Sequence, residues 1–365
     1  MWMEGANSFF LFAPFLLDVC MPSGRYFDFV TLAKGFAIIC VVLGHFTPSY
    51  MPSVYQHLKD GVYLFHMPLF MLLAGFLFQN SVERRQKTLR IIPFIKKKFL
   101  RLMVPYFFLS LCIAILNLVL QQFIRVKQQV TCAYFIKMCY ENVGGSATFL
   151  WFLYTLFLIF VIAIVFVRIP KGQYLLLSLA CIFHFLPLSS VFYMDAVGTY
   201  LIYFVTGTYV YKSFRETDIV SYKKILLFVC SFILSYIVLQ NISSPFLRSL
   251  VTCLCGLSAC MVILYVSYVC IKWNNFFIRA LRIVGNYSSY IYLLHMMGVY
   301  PVRLMYEKIG WYSYFSYALA LLLAIIIGCV LPVLIDRYII SSSQILSFLI
   351  GDSKKSNKNL VSIKK

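Results

Sequence analysis

Apolar residues along this chain neither alternate with polar ones nor recur as a single stripe at helical spacing; they arrive in long unbroken blocks, separated by short links that hold most of the charges. Blocks of that length match the thickness of a hydrocarbon core, where only helices or closed barrels satisfy their own backbone hydrogen bonds. The absence of alternation selects helices. Ten spans can be drawn, at 26–46, 61–80, 99–123, 148–167, 174–191, 196–211, 225–239, 249–271, 283–302 and 314–335. Several are short, so nine or eleven also fit. The expected fold class is therefore all-α, a polytopic membrane protein of about ten transmembrane helices.

Composition sharpens this reading. Of 365 residues, 62% are hydrophobic and 12% charged, so most of the length cannot form the surface of a soluble domain. The formal charge of +20 raises the question of nucleic acid, but the cations sit in links between apolar blocks, not along one amphipathic face. That distribution is topological, and membrane lipid headgroups, not nucleic acid, are the expected neighbours. Arg84, Arg85, Lys87, Arg90, Lys96, Lys97, Lys98 and Arg101 crowd the second link and place it in the cytoplasm. Alternation then puts the other basic links, and both termini, on the same side. Twelve cysteines lie mostly inside apolar blocks without zinc or redox spacing, which argues against a disulfide framework.

The domain expectation has three parts: an N-terminal segment at 1–24, a transmembrane domain at 25–338 and a basic cytoplasmic tail at 339–365. Within the first, the apolar stretch at 9–17 is too short to span and has no basic region before it, unlike an export signal. It reads as interfacial, or as untranslated sequence upstream of Met21.

Ionisable groups inside a span are costly and are functional candidates by default, which singles out Lys34, His45, His66, His184 and His295. Lys34 and His45 are related by spacing: eleven helical steps return to within about 20° of the same face after a rise of about 16 Å. Lys34 then lies in the cytoplasmic half of the membrane and His45 near the outer end, so a long anionic molecule entering from inside could touch both. Snorkelling of Lys34 and a structural hydrogen bond from His45 are the bland alternatives.

The segment RYFDFVTLAKGFAIICVVLGHF, beginning at Arg25, resembles the first helix of the integral-membrane acyltransferases called acyltransferase family 3, whose signature is a Lys or Arg, ten residues, then a His. The family includes bacterial O-acetyltransferases of polysaccharides and lipopolysaccharides. LFHMPLFMLLAGFLF, containing His66, is similar to its second helix, and KKKFLRLMVPYF, containing Lys98 and Arg101, to the basic start of its third. LWFLYTLF around Trp151 and VGNYSSYIYLLH ending at His295 look like later signatures. These motifs run in family order over nearly the whole chain. Two positions depart from the pattern: Thr31 stands where many relatives are acidic, with Asp28 as a substitute, and Ala74 where Ser usually precedes Gly-Phe.

The resemblance implies a membrane O-acyltransferase of the bacterial inner membrane, with acetyl-CoA as donor, a glycan hydroxyl as acceptor and no metal. His45 would be the catalytic base or a nucleophile that briefly carries the acyl group, since a sugar hydroxyl is a poor nucleophile at neutral pH. Lys34, Lys98 and Arg101 would hold the phosphates of the donor, although topology alone also accounts for the last two. His66, His295 and Trp151 would line the acceptor pocket; helix-to-helix hydrogen bonds and interfacial anchoring are the competing roles. His184 matches no motif and reads as structural, and His57 as surface. A non-enzymatic flippase or carrier for lipid-linked glycans, or the same fold using succinyl-CoA, are the rival functions.

Overall fold

The computed structural model describes residues 27–85, 89–122, 131–137, 139–141, 148–216 and 222–352, and these form helices with no strand among them. The helices are α1 (Asp28–His45), α2 (Ser53–Tyr63), α3 (His66–Arg84), α4 (Ile91–Leu120), α5 (Cys132–Lys137), α6 (Trp151–Phe166), α7 (Gly172–Phe185), α8 (Met194–Glu216), α9 (Tyr222–Leu239), α10 (Pro245–Cys270), α11 (Phe276–Asn286), α12 (Ser288–Leu294), α13 (Met296–Ile309), α14 (Tyr314–Tyr338) and α15 (Gln344–Leu349). Six helical stretches among the described residues are long and apolar enough to cross a membrane: Asp28–His45, Ser53–Arg84, Ile91–Val119, Tyr222–Leu239, Pro245–Cys270 and Tyr314–Ser342. Trp151–Phe166 and Gly172–Phe185 are apolar but shorter.

Each of the ten expected spans overlaps a helix, but two are broken. The block at 61–80 is interrupted at Leu64 and Phe65, between α2 and α3. The cause lies in the sequence, because Pro68 has no N–H for the Leu64 carbonyl and its ring crowds that group. The block at 283–302 is divided among α11, α12 and α13, with Tyr287 leaving helical geometry at φ −94°, ψ 8°. Hydropathy reports how apolar a segment is, not whether its backbone is continuous. The segment at 1–24, the cytoplasmic placement of the termini and the part of the tail beyond Asp352 lie outside the described residues.

The bundle is built around α1, which packs against α2, α3, α10, α11, α12, α13 and α14. Its span is 72% buried inside the protein, against 6% for α9, so α1 is a core helix and α9 lies at the periphery. A helix that is apolar all round and buried, yet carries a Lys and a His, has reserved those positions for something other than packing. The close approach of α1 to α11 depends on two glycines: a Cβ on Gly35 would stand 2.3 Å from the Leu281 carbonyl oxygen, and one on Gly285 would stand 2.0 Å from that of Thr31. Small residues that let backbones touch are the usual device for joining helices where lipid offers no hydrophobic driving force.

Candidate active site

α1 ends at His45 because the backbone of Phe46 turns extended, at φ −81°, ψ 93°, and Pro48 disfavours helix in the residue before it. The imidazole thus sits on the last helical residue, partly open, while its neighbour Phe46 is buried. The preceding carbonyl, that of Gly44, accepts a 3.0 Å hydrogen bond from the Tyr63 hydroxyl of α2. Tyr63 in turn packs edge-on against His66, with ring centroids 4.9 Å apart.

His66 opens α3, just past the break at Leu64 and Phe65, and is 6% exposed. Its Nδ1 lies 2.8 Å from the Val62 carbonyl one turn back. His295 joins α12 to α13 and has no exposure at all. Its Nδ1 lies 3.0 Å from the Ile291 carbonyl and 2.9 Å from that of Tyr292. A ring nitrogen facing a carbonyl must carry the proton, so in both neutral imidazoles Nε2 is left as an acceptor.

The His45 and His295 rings lie side by side with centroids 4.9 Å apart and planes tilted by 50°. Phe149 closes the side of this pair, 6.3 Å from His45 and 5.4 Å from His295. It is held there by its own carbonyl, which accepts the Tyr292 hydroxyl. Three helices distant in sequence therefore converge with an imidazole each. Among the described residues no group of three or more His, Cys, Asp or Glu side chains is placed to hold a metal ion.

The cations expected to meet the donor separate into two environments. Lys34 is 3% exposed on α1 and has no hydrogen-bond or ion-pair partner among the described residues. Lys98 and Arg101 lie one turn apart near the start of α4. The Lys98 ammonium rests over the Phe160 ring at 3.9 Å and near that of Phe94 at 5.5 Å. Arg101 is 2% exposed and feels the charge of Asp352, which stands just beyond α15. Asp352 accepts a 3.0 Å hydrogen bond from Tyr290 of α12. No hydrogen bond or ion pair among the described residues joins Lys34 to this cluster.

Trp151 is half-buried at the start of α6 and packs at a tilt against Tyr200, with ring centroids 5.1 Å apart. His184 is held by Ser249 Oγ at 3.2 Å and the Thr199 carbonyl at 3.3 Å, and His57 is exposed. Asp28 is exposed at the first turn of α1, and Thr31 is buried. Tyr63, Phe149, Tyr290, Tyr292 and Asp352 were not legible as site residues: aromatics are too abundant in this chain to single out, and Asp352 borders a basic segment that reads as solvated.

The described residues thus form an all-helical protein with membrane-length helices and histidines gathered at one end of a core helix. Residues 27–336 match the acyltransferase family 3 domain, and the chain belongs to that family. No curated protein and no solved structure matches it.

Proposed function

We propose that this membrane acyltransferase moves an acetyl group from acetyl-CoA to a hydroxyl of a cell-surface or lipid-linked glycan, with His45 as general base. The observation that carries this reading is the pairing, on a core helix of a family 3 acyltransferase domain, of a partly open imidazole with a buried ammonium that has no anion beside it among the described residues. His45 takes the proton of the glycan hydroxyl as its oxygen attacks the thioester carbonyl. The C–O bond forms, the C–S bond breaks, and the imidazolium returns the proton to the leaving thiolate. Lys34 offers a charge to the phosphates of the donor, and Lys98 and Arg101 a second cationic patch on the same side. His66 and Trp151 border the space for the acceptor.

In this reading the helices cross the bacterial inner membrane about ten times with both termini cytoplasmic. The donor enters at the basic face and meets the glycan near the outer end of α1. A general base of this kind contributes about a hundred- to ten-thousand-fold in rate. The test is transfer of labelled acetyl from acetyl-CoA to de-O-acetylated bacterial polysaccharide by protein purified in detergent. His45→Ala should lose activity by that factor while keeping the wild-type melting temperature and elution volume. Unchanged transfer by His45→Ala would reject the assignment. Mass analysis of the modified glycan separates acetyl from succinyl.

A further inference from the structure

We infer that His295 is a positioning residue for His45: its Nε2 accepts an N–H of the His45 imidazole and so fixes the tautomer whose other nitrogen faces the reacting hydroxyl. This rests on the acyl-transfer reading and adds to it a residue that works through the base, where the sequence suggested only an acceptor-pocket contact.

Four observations converge. The two carbonyls at 2.9 and 3.0 Å hold the proton of His295 on Nδ1, so its other nitrogen presents a lone pair. That Nε2 is buried and has no hydrogen-bond partner among the described residues. A buried acceptor without a donor costs about 1–3 kcal/mol, so the site is built for a donor that arrives. The nearest imidazole is that of His45, at a centroid separation of 4.9 Å. Two imidazoles joined through an N–H···N bond of about 2.9 Å have centroids roughly 5 Å apart, so a small ring rotation of His45 makes the bond.

Exposure decides between His45 and the substrate as that donor. His295 is 0% exposed while His45 is partly open, so a substrate oxygen approaching the cluster meets His45 first. His295 stands behind the base, with Phe149 sealing the pair. An imidazole has two tautomers, and the unpartnered ring divides its lone pair between both nitrogens. Once one N–H of His45 is spoken for, the remaining lone pair is permanently on the side of the hydroxyl, and the imidazolium formed in the reaction keeps a hydrogen bond for its second proton. The pinning of Nδ1 also keeps His295 itself from donating toward His45.

The experiment compares wild type, His295→Phe and His295→Gln, purified in detergent and checked by melting and elution volume, with acetyl-CoA and de-O-acetylated bacterial polysaccharide as substrates. His295→Phe, which fills the space without an acceptor, should lower kcat about ten- to a hundredfold, the range one buried hydrogen bond commands, with KM for both substrates within about twofold. His295→Gln places an amide oxygen near the lost Nε2 and should keep kcat within about tenfold of wild type. Unaltered kcat in a folded His295→Phe overturns the inference, as does a raised acceptor KM with kcat restored at saturation, which would make His295 a substrate contact. Should His295→Phe fail to fold, His295→Gln decides alone: activity as low as His45→Ala overturns it. A wild-type protein that transfers nothing overturns the acyl-transfer reading, and the positioning role falls with it.

Discussion

Tyr290 of α12 and Asp352, beyond α15, are joined by a 3.0 Å hydrogen bond inside the protein, with 2% and 4% of their surfaces exposed. The bond ties the last described residues of the chain back onto the bundle beside Arg101. Removing the carboxylate takes away both the acceptor of that bond and an opposing charge felt by a buried guanidinium, which together cost more than the roughly 1–3 kcal/mol of one buried hydrogen bond. Asp352→Ala should therefore lower the melting temperature in detergent clearly, and Tyr290→Phe by less, since it removes one hydroxyl and costs about 1–3 kcal/mol. A wild-type melting curve for Asp352→Ala would mean that this segment is not docked.

The crossing of α1 and α11 gives a second expectation. A methyl at position 285 would overlap the Thr31 carbonyl, a backbone atom that cannot rotate away. Gly285→Ala should force the helices apart at a cost of about 1–3 kcal/mol and move α1 relative to α12, the helix that leads to His295. Lower thermal stability together with reduced acyl transfer is the expected result. Gly61, whose added Cβ would meet nothing, serves as the control, and Gly61→Ala should behave as wild type.

The membrane class and the helical fold were legible in sequence, because hydropathy is a local property. The break at Leu64 and Phe65 was signalled only by Pro68 and is hidden by an otherwise apolar block. The meeting of His45 with His295 was not readable from spacing at all. It depends on how α12 packs on α1, and only the order of family motifs hinted that both belong to one site. Asp352 was missed for a different reason. One carboxylate next to a run of lysines looks solvated unless tertiary structure brings it to a buried arginine.

Lys34 offers the sharpest test of whether this protein gives up stability for function. An ammonium taken out of water without a counter-ion costs several kcal/mol, and Lys34 is 3% exposed with no acid to offset it among the described residues. If that charge is kept for the phosphates of a donor, its removal should help the fold and harm the reaction. Lys34→Met, close in volume and uncharged, should melt at or above the wild-type temperature while KM for acetyl-CoA rises about tenfold or more, the worth of one charge-assisted contact. Lys34→Arg keeps the charge and should hold KM nearer to wild type. Snorkelling to lipid headgroups makes the opposite forecast, because a lysine satisfied by lipid loses that contact on substitution and has no bearing on donor affinity. Kinetics and melting of the same two variants in one detergent separate the accounts: unchanged KM with a lower melting temperature for Lys34→Met would remove Lys34 from the donor site.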